Sequence, residues 1–369
     1  MARIELIDVA HAYGHIQGAG HAKGAGAWAL KQMTLSWSDG GAYALLGPSG
    51  CGKTTLLNII SGLITPTQGT ILFDGRDVTS LEPQQRNIAQ VFQFPVIYDT
   101  MTVFDNLAFP LRNRKWKEGD VRKRVHEIAE ILELQGDLPV RAQGLAADVK
   151  QKISLGRGLV RPDVAAVLFD EPLTVIDPHV KWLLRRKLKQ LHQQLNLSLI
   201  YVTHDQTEAL TFADRVFVMT QGEVVQVGTP EALFEAPAHR FVGHFIGSPG
   251  MNFLDCEWLG GARQGAAPYV EGVPINTSST RQPDLLGPLM IGIRPDYLQV
   301  HLSPGPNRVP AVITAAQDQG TQLMVQLQIG QRTAWSKIRN MRESFRLGPA
   351  FAYLPPDKCA IYADDRRVA

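Results

Sequence analysis

The sequence predicts an α/β domain followed by a smaller all-β domain. In the first 236 residues, continuous apolar runs that are typical of buried parallel strands alternate with stretches of helical spacing. Beyond that point, short alternating strands with many Pro and Gly residues continue to the end of the chain, and no long helix is indicated. We therefore expect one domain over residues 1–236 and a second over residues 237–369.

Composition and charge exclude several classes of protein. The chain has 369 residues, of which 44% are hydrophobic and 20% charged, so packed domains are expected rather than disorder. A net charge of +2 gives no reason to expect a nucleic-acid partner. Cys51, Cys256 and Cys359 lie far apart, which favours a reducing compartment over a disulfide framework or a zinc site. Without a secretory signal pattern or an apolar run of about 20 residues, any membrane role is expected to be indirect.

The chain begins with two strands separated by a loop. Residues 3–10 alternate weakly between apolar and polar side chains, and residues 30–37 again have strand character. Between them, residues 14–27 are rich in Gly, Ala and His and predict a surface loop. His15 and His21 could bind a metal ion there, but a solvated loop explains them better.

The most specific motif follows the third strand. Residues 42–46 form an apolar run that predicts a buried strand, and residues 55–61 predict a helix. Between them stands a phosphate-binding loop (P-loop) pattern: Gly47, Pro48, Ser49, Gly50, Cys51, Gly52, Lys53 and Thr54. Glycines allow successive amides to face an anion, and the helix N-terminus adds partial positive charge. Lys53 can then reach the β- and γ-phosphates and Thr54 can hold Mg²⁺, whereas the alternative is a simple glycine turn.

Strand and helix patterns continue along both predicted domains. Further strands of the first domain are predicted at residues 69–75, 88–92, 164–169 and 198–203. Helices are predicted at residues 118–134, 153–160 and 180–195. Strands of the second domain are predicted at residues 289–293, 309–315, 323–327 and 351–354.

The helix at residues 180–195 is strongly basic. Its cationic residues are Lys181, Arg185, Arg186, Lys187 and Lys189. Such a face could bind phosphate or lipid, but a solvated helix surface is the better interpretation from sequence alone.

Two of the buried strands end in side chains that suit phosphoryl transfer. Asp170 and Glu171 follow the strand at residues 164–169, and His204 follows the strand at residues 198–203. Asp170 is suited to hold Mg²⁺, Glu171 to polarise the attacking water and His204 to contact the γ-phosphate. Phosphoryl transfer depends mainly on positioning and charge neutralisation, which these groups supply. A solvated strand end is the alternative for the acidic pair.

With these residues, the chain resembles the ATP-binding subunits of ABC transporters, and within them the sugar and polyol importer type. The resemblance runs from about residue 4 to residue 369. It implies that Tyr13 stacks on adenine, that residues 47–54 are the Walker A motif and that Thr55 joins them in binding ATP. Gln93 corresponds to the Q-loop glutamine, which touches the metal.

The resemblance extends to the catalytic motifs. It implies that Asp170 and Glu171 end the Walker B motif, that residues 174–177 form the D-loop and that His204 is the switch histidine. ATP and Mg²⁺ are the implied cofactors, with Thr54, Gln93 and Asp170 around the metal.

The same resemblance implies further domains and partners. A helical subdomain is expected at about residues 94–160, with residues 94–111 receiving the coupling helices of two transmembrane permease subunits. Residues 245–253 and 292–295 match an OB-like regulatory β-barrel domain. The implied location is the cytoplasmic face of the inner membrane, with a periplasmic or extracellular substrate-binding protein as an indirect partner and no nucleic acid.

One motif departs from the family pattern. The expected signature Leu-Ser-Gly-Gly-Gln is replaced by Leu145, Ala146, Ala147, Asp148 and Val149. In this family, the signature of one subunit closes over ATP held by the other. Ala146 has no hydroxyl to donate to that ATP, and Asp148 brings a negative charge toward a phosphate. Loss of one preorganised donor is worth about 3 kcal/mol. Two like charges at about 4 Å repel by roughly 4 kcal/mol at an effective dielectric near 20.

The resulting hypothesis is a heterodimer with a second ATPase that carries a normal signature. Such a pair would power import of a carbohydrate or small polyol, for which glycerol or a glycerol-3-phosphate-like molecule is the preferred substrate. Two alternatives remain: a soluble ABC ATPase without a transport role, and a regulatory ATP-binding subunit with little turnover.

Overall fold

The computed structural model describes residues 2–14, 28–174, 176–195, 197–259, 267–277, 288–339 and 346–368. Contacts divide the chain into two units, Met1–Pro230 and Glu231–Ala369. All but the first residue of the predicted loop at residues 14–27, including His15 and His21, lies outside the described residues.

The described strands of the first unit are β1 (Ile4–Ala12), β2 (Trp28–Trp37), β3 (Ala42–Leu46), β4 (Gln68–Phe73), β5 (Arg76–Asp77), β6 (Ala89–Val91), β7 (Val167–Asp170), β8 (Leu199–Thr203), β9 (Arg215–Thr220) and β10 (Glu223–Gly228). Its helices in the described part are α1 (Lys53–Ser61), α2 (Pro83–Arg86), α3 (Val103–Arg112), α4 (Glu118–Ile131), α5 (Ala147–Leu159), α6 (Pro178–Leu195) and α7 (Gln206–Phe212). The predicted strands and helices therefore occur where expected, with ends that differ by a few residues.

The larger sheet of the first unit determines where the site lies. Its strand order is β10-β9-β3-β8-β7-β6, and β3 runs parallel to both β8 and β9. β7 is likewise parallel to β8 and β6. Because the strands are parallel, the carboxyl ends of β3, β7 and β8 open at one edge of the sheet, where ligands of such sheets bind. All five residues of β3 are buried, in agreement with its continuous apolar sequence.

A second sheet in this unit is antiparallel, with strand order β2-β1-β4-β5. Leu6, Leu30 and Ile71 from three of its strands share one apolar core with Leu56 and Ile60 of α1. This packing fixes the helix that follows the phosphate-binding loop.

The helix that was predicted to begin at residue 153 begins at Ala147, so the predicted N-terminal boundary was wrong. Gly156 and Gly158 have a low intrinsic helix propensity that would by itself weaken this helix. Both glycines instead lie at close contacts: a Cβ on Gly156 would meet Leu107 Cδ2 at 2.4 Å, and one on Gly158 would meet Val91 Cγ2 at 2.6 Å. Tertiary packing therefore outweighs the low helix propensity of glycine here.

Helix α3 was not predicted, because the sequence of residues 94–111 shows no clear period and contains Pro110. Thr102 is the N-cap of this helix, and its hydroxyl accepts a hydrogen bond from the Asp105 amide at 3.0 Å. Pro110 falls in the last turn, where its effect on the helix is limited to the end of the element.

The second unit is mainly β. It contains α8 (Pro230–Glu235), whose first residue is the last of the first unit, and α9 (Arg240–Phe245). Its described strands are β11 (Asn252–Leu259), β12 (Ala267–Val270), β13 (Val273–Pro274), β14 (Leu289–Ile293), β15 (Gln299–His301), β16 (Arg308–Asp318), β17 (Leu323–Ile329), β18 (Arg332–Ile338), β19 (Gly348–Tyr353), β20 (Cys359–Ala363) and β21 (Arg366–Arg367). They form sheets of order β13-β12-β11-β14-β20-β21 and β15-β19-β16-β17-β18 that enclose one apolar core, as the OB-like prediction requires.

Arg294 ties the two helices of this unit to the strand that precedes it. Its side chain is only 2% exposed, and its guanidinium donates to the carbonyl oxygens of Phe234 at 2.9 Å and Gly243 at 2.8 Å. It also donates to the carbonyls of Leu233 and Ile246. Burial lowers the pKa of Arg294 to about 10, so the group stays charged at neutral pH.

Candidate functional site

The phosphate-binding loop joins β3 to α1 in a conformation that requires its glycines. Gly50 and Gly52 have φ of 78° and 101°, in the left-handed region that favours glycine. At Gly47 the reason is space, because a Cβ there would lie 2.3 Å from the carbonyl oxygen of Met219. The sequence therefore folds this loop against β9 with backbone amides ahead of the helix N-terminus, where anions bind.

Lys53 crosses back over the loop. Its ammonium donates to the carbonyl oxygens of Gly47 at 2.8 Å and Pro48 at 2.9 Å, and the side chain is 5% exposed. These two bonds hold the cation at the mouth of the loop.

Asp170, the last residue of β7, faces the start of α1. Its Oδ1 accepts a hydrogen bond from the Thr54 hydroxyl at 3.2 Å. Burial raises the pKa of Asp170, and the neighbouring Glu171 adds to that effect, whereas the Thr54 bond and the charge of Lys53 oppose it. A cation bound beside Asp170 would relieve the cost of this buried charge.

Glu171 and His204 meet beyond the strand ends. Glu171 Oε1 lies 3.0 Å from His204 Nδ1, and Glu171 Oε2 lies 3.4 Å from the Thr174 hydroxyl. The backbone of Glu171 has φ of 47°, a left-handed conformation that is uncommon outside glycine. The Glu171 amide is held by the carbonyl of Val202 at 3.0 Å, so the sheet itself supports this turn.

Tyr13 stands just after β1 with 57% of its surface exposed. Its hydroxyl lies 3.1 Å from Thr55 Oγ1, and its ring meets the ring of His11 edge-on at 4.8 Å and 88°. His11 Nδ1 lies 3.3 Å from the Thr67 hydroxyl oxygen, which also accepts the Ala12 amide at 3.2 Å.

One cleft of about 440 Å³ brings most of the predicted site residues together. It is lined by Tyr13, Ser49, Gly50, Gly52, Lys53, Thr54, Thr55, Gln93, Asp170 and Glu171, together with Ala29. Gly47, Pro48 and Cys51 are not among the lining residues, and His204 contacts the lining through Glu171.

Two of these positions differ from expectation. The Cys51 side chain is 3% exposed and belongs to the apolar core, so it does not face a ligand. Its thiol is 4.0 Å from Lys53 Nζ, and burial raises its pKa despite that cation. Ala29, which lines the cleft, was missed because a small apolar residue carries no chemical signal in a sequence.

Gln151 is a further residue that the sequence did not reveal. It is fully buried in α5, and its amide nitrogen donates to the carbonyls of Pro172 at 2.7 Å and Phe92 at 3.3 Å. These carbonyls belong to the segments that carry Glu171 and Gln93. The available signal would have been the position of this glutamine, two residues after the segment that replaces the family signature.

The segment that replaces the signature starts α5. Ala146 occupies the N-cap position, and no side chain there accepts a bond from the helix amides. Ala146 and Ala147 are exposed, and Asp148 lies in the first turn, where the helix dipole favours its negative charge. The exposed helix end therefore presents a carboxylate in place of a hydroxyl and glycine amides.

Apolar side chains are exposed in the segment after Gln93. Phe94 is 68% exposed, Val96 54% and Tyr98 40%. Such a cluster is typical of a protein contact surface. Within the described part of the chain, no helix has the length and apolar character needed to cross a bilayer.

The donor set of the cleft fits Mg²⁺. This ion is usually held by one or two carboxylates, hydroxyls, waters and substrate phosphates rather than by a protein cage. Thr54 and Asp170 supply such oxygens 3.2 Å apart beside the phosphate-binding loop. The described residues contain no group of three or more His, Cys, Asp or Glu side chains arranged to hold a metal by themselves.

The chain was compared with known proteins. Residues 30–174 match the family described as ABC transporter. The trehalose/maltose import ATP-binding protein of Thermococcus litoralis is 37% identical over 366 residues, which cover 92% of each chain. The sn-glycerol-3-phosphate import ATP-binding protein of Bordetella avium is 39% identical over 289 residues, or 78% of this chain and 79% of the relative.

Solved structures give the same answer. A dimeric ATP-binding cassette in a post-hydrolysis state with ADP and phosphate has a TM-score of 0.54 at 26% identity, covering 62% of this chain and 98% of the other. A subunit of an ABC transporter complex from Clostridium perfringens has a TM-score of 0.56 at 25% identity, covering 63% of this chain and 90% of the other.

Proposed function

The chain belongs to the ABC transporter ATP-binding proteins, and from this premise we propose that it powers import of a carbohydrate or small polyol through membrane partners. Members of this family are ATPases that use ATP with Mg²⁺. Similar proteins are named for import of trehalose and maltose and of sn-glycerol-3-phosphate. Glycerol or a glycerol-3-phosphate-like molecule is the substrate that we propose for this chain.

In the proposed binding mode, the exposed ring of Tyr13 stacks on adenine. The amides of residues 49–55 and the Lys53 ammonium then bind the phosphates along the loop. Thr54, Asp170 and Gln93 would hold Mg²⁺, which would neutralise phosphate charge. Gln93 is suited to this role because it lines the cleft and forms no hydrogen bond within the described residues.

Glu171 and His204 are the proposed catalytic pair, with Gln93 beside them. Glu171 orients the attacking water and draws its proton, while His204 holds the carboxylate through the 3.0 Å contact and faces the γ-phosphate. Bound Mg²⁺ supplies charge neutralisation at the phosphate oxygens. This contact, in a cleft that also holds the Thr54–Asp170 pair, is the observation that carries the proposal.

The exposed apolar surface of Phe94, Val96 and Tyr98 is the proposed contact for two transmembrane permease subunits. It directly follows Gln93, so movement there reaches the ATP cleft through one segment of chain. The protein would thus sit at the cytoplasmic face of the inner membrane, and a periplasmic or extracellular binding protein would act on it only indirectly.

We further propose a heterodimer with a second ATPase. In a homodimer, both composite sites would be closed by a segment in which Ala146 and Asp148 replace a serine and a glycine. In a heterodimer, one site would combine this chain's Walker residues with an intact signature, and the other would hold ATP with little turnover. A regulatory subunit with low turnover is the second candidate, and the same segment favours it.

The test is steady-state ATPase activity and ATP-driven uptake by the reconstituted complex, with the catalytic glutamate replaced in each ATPase in turn. Glu171→Gln in this chain should abolish turnover, whereas the matching change in the partner should leave much of it. Equal losses, or a fully active homodimer of this chain, would refute the asymmetry. Turnover without uptake would favour a soluble ATPase.

A further inference from the structure

A second recess lies on the first unit, between α6 and α7 and separate from the ATP cleft. Its volume is about 500 Å³, which falls within the range of small-molecule sites. The groove is formed by Trp182, Arg185, Arg186 and Lys189 of α6 with Thr207 and Thr211 of α7. We call it the α6–α7 groove. Among the residues that the structure describes, no acidic side chain lines it.

Within the described part of the chain, no acidic side chain pairs with the two arginines of the groove. Helix α6 contains no Asp or Glu from Pro178 to Leu195. Elsewhere on the helix, Lys187 is paired with Glu133 and Lys181 lies 3.8 Å from Glu208. By contrast, Arg185 and Arg186 form no ion pair anywhere in the described ranges of the chain. Two guanidinium groups are therefore left to attract an anion from solution.

An aromatic ring lies beside these cations. Trp182 is 52% exposed, and the guanidinium carbon of Arg186 stands 5.8 Å from its ring centroid. Lys189 donates to the Thr211 carbonyl at 3.3 Å, which holds that ammonium at the α7 side of the groove. A flat apolar face next to several cations suits a molecule that has both a ring and a phosphate.

We propose that the α6–α7 groove is a regulatory site for a small phosphate monoester whose ring or apolar face covers Trp182 and whose phosphate binds Arg185 and Arg186. The regulatory part of this inference rests on the proposed ATPase function, whereas binding does not. A concave groove fits a free small molecule better than the flat surface of a lipid bilayer.

The helices that form the groove lead directly into the catalytic segments. Helix α7 begins two residues after His204, and the intervening Asp205 caps it through the amides of Thr207 at 2.7 Å and Glu208 at 3.1 Å. Helix α6 follows the segment that starts at Glu171. A ligand that joins α6 to α7 would bias the spacing of Glu171 and His204, which gives the groove a route to the ATPase.

Buried contacts strengthen this connection. The Glu208 carboxylate, 4% exposed, accepts hydrogen bonds from the Thr203 hydroxyl at 2.9 Å and the Tyr201 hydroxyl at 3.0 Å. Both donors lie on β8, the strand that ends next to His204. Helix α7 and this strand are therefore expected to move as one body.

The binding test uses the full chain saturated with MgAMP-PNP, a non-hydrolysable ATP analogue, so that added phosphates cannot occupy the ATP cleft, its γ-phosphate position included. Phenyl phosphate and inorganic phosphate are titrated while heat and tryptophan fluorescence are followed. Phenyl phosphate should bind at least about tenfold more tightly, because only it can cover Trp182. Its affinity should fall about tenfold or more in R185Q/R186Q and in W182L. The matched control is K187Q, which removes a cation from the same helix outside the groove and should change the affinity less than about twofold.

Several results would overturn the proposal. The first is no saturable binding of phenyl phosphate up to about 10 mM. The second is equal affinity for phenyl phosphate and inorganic phosphate. The third is a loss of phenyl phosphate affinity in K187Q as large as that in R185Q/R186Q. Flotation with vesicles that contain phosphatidic acid, with no binding of phenyl phosphate, would assign the surface to lipid instead. Thermal unfolding of each variant checks its fold.

The regulatory part has its own readout, the ATPase activity of the assembled complex. Phenyl phosphate should change its turnover at concentrations that fill the groove, and R185Q/R186Q should remove that change while K187Q retains it. Binding without any change in turnover would refute regulation. Absence of ATP binding in the cleft would refute the proposed function. The phenyl phosphate titration would still test binding in the α6–α7 groove.

Discussion

Glu171 Oε1 and His204 Nδ1 lie 3.0 Å apart at the ends of neighbouring parallel strands. The two residues are far apart in sequence, and the pairing of Asp170 with Val202 in the sheet fixes their separation. A carboxylate held by an imidazole is well oriented to take a proton from water, so this pair determines the first prediction.

Glu171→Gln should keep ATP binding and lower the turnover of the active site by at least about a hundredfold, because an amide cannot accept the water proton. The Thr174→Val variant is the control, since it removes the hydroxyl bonds to the Glu171 carbonyl at 3.0 Å and to Oε2 at 3.4 Å, keeps the carboxylate and should lower turnover far less. Steady-state turnover and ATP binding are measured on each variant in the complex. Comparable losses in the two variants would point to a general disturbance of the loop.

Lys53→Ala should weaken ATP binding at this chain's cleft by at least about 2 kcal/mol, or roughly 30-fold, because a buried cation would no longer bind the phosphates. Lys31→Ala is the matched control, since that exposed ammonium pairs only with Glu223 at 3.2 Å in the described structure. Photolabelling of the purified chain reports the occupancy. Undiminished labelling of the Lys53 variant would contradict the assigned phosphate contact.

Alkylation of Cys51 should be slow and should inhibit the ATPase, because the thiol is buried behind the loop that an adduct would distort. Since burial raises the pKa of this thiol, the alkylation rate should increase as the pH rises toward that pKa, and MgATP should slow the reaction further. The C51S variant should lose no activity on treatment relative to its own untreated sample. Peptide mapping after N-ethylmaleimide identifies the labelled thiol, and full activity with Cys51 labelled would refute this prediction.

Ala146→Ser should stabilise the protein by about 1 kcal/mol, because the hydroxyl can cap the exposed N-terminus of α5. Restoring Ser, Gly and Gly at positions 146–148 should raise turnover at the partner's site, although glycine in the first turns lowers helix stability. Urea unfolding and turnover of the complex are compared for the single and triple variants. A triple variant that folds but does not increase turnover would show that the replaced segment is not the cause of the low activity.

His11 should make the stability depend on pH. Burial lowers its pKa below the usual 6.5, so the folded state favours the neutral ring. The corresponding stability is therefore fully present above pH 6.5 and decreases as the pH falls, by no more than about 1.4 kcal/mol per pH unit. His11→Phe keeps a ring against Tyr13 and removes the titration. Unfolding midpoints between about pH 5.5 and 8 should show a steeper decline for the parent than for the variant, and parallel curves would contradict the effect.

The sequence predicted the sheet around the loop well for a physical reason. Strands such as β3 are buried on both faces, so an unbroken apolar run identifies them without knowledge of their neighbours. The loop was equally clear, because the positive φ of Gly50 and Gly52 and the close contact at Gly47 favour glycine at these positions. Their roles toward ATP remain predictions.

What the sequence missed depends on contacts between distant segments. The start of α5 was placed too late because residues 147–152 are mostly polar and show no apolar period. The close packing of Gly156 against Leu107 is likewise a contact that no local pattern reveals. Gln151 was overlooked for a similar reason, since its importance lies in the carbonyls of Phe92 and Pro172. Asp177, in the predicted D-loop, accepts the His179 amide at 2.9 Å and so also serves the start of α6.

Arg294 limits where the chain can be cut. Its guanidinium serves carbonyls of α8 and α9, and the bond to Gly243 spans 51 positions of the sequence. A fragment ending after Ile246 would keep both helices, lose the cation at their C-terminal ends and uncover Leu233 and Val242. Such a fragment is expected to aggregate even if its nucleotide-binding unit folds. A fragment for crystallisation should therefore end before α8, so that both helices remain with the strand whose arginine holds them.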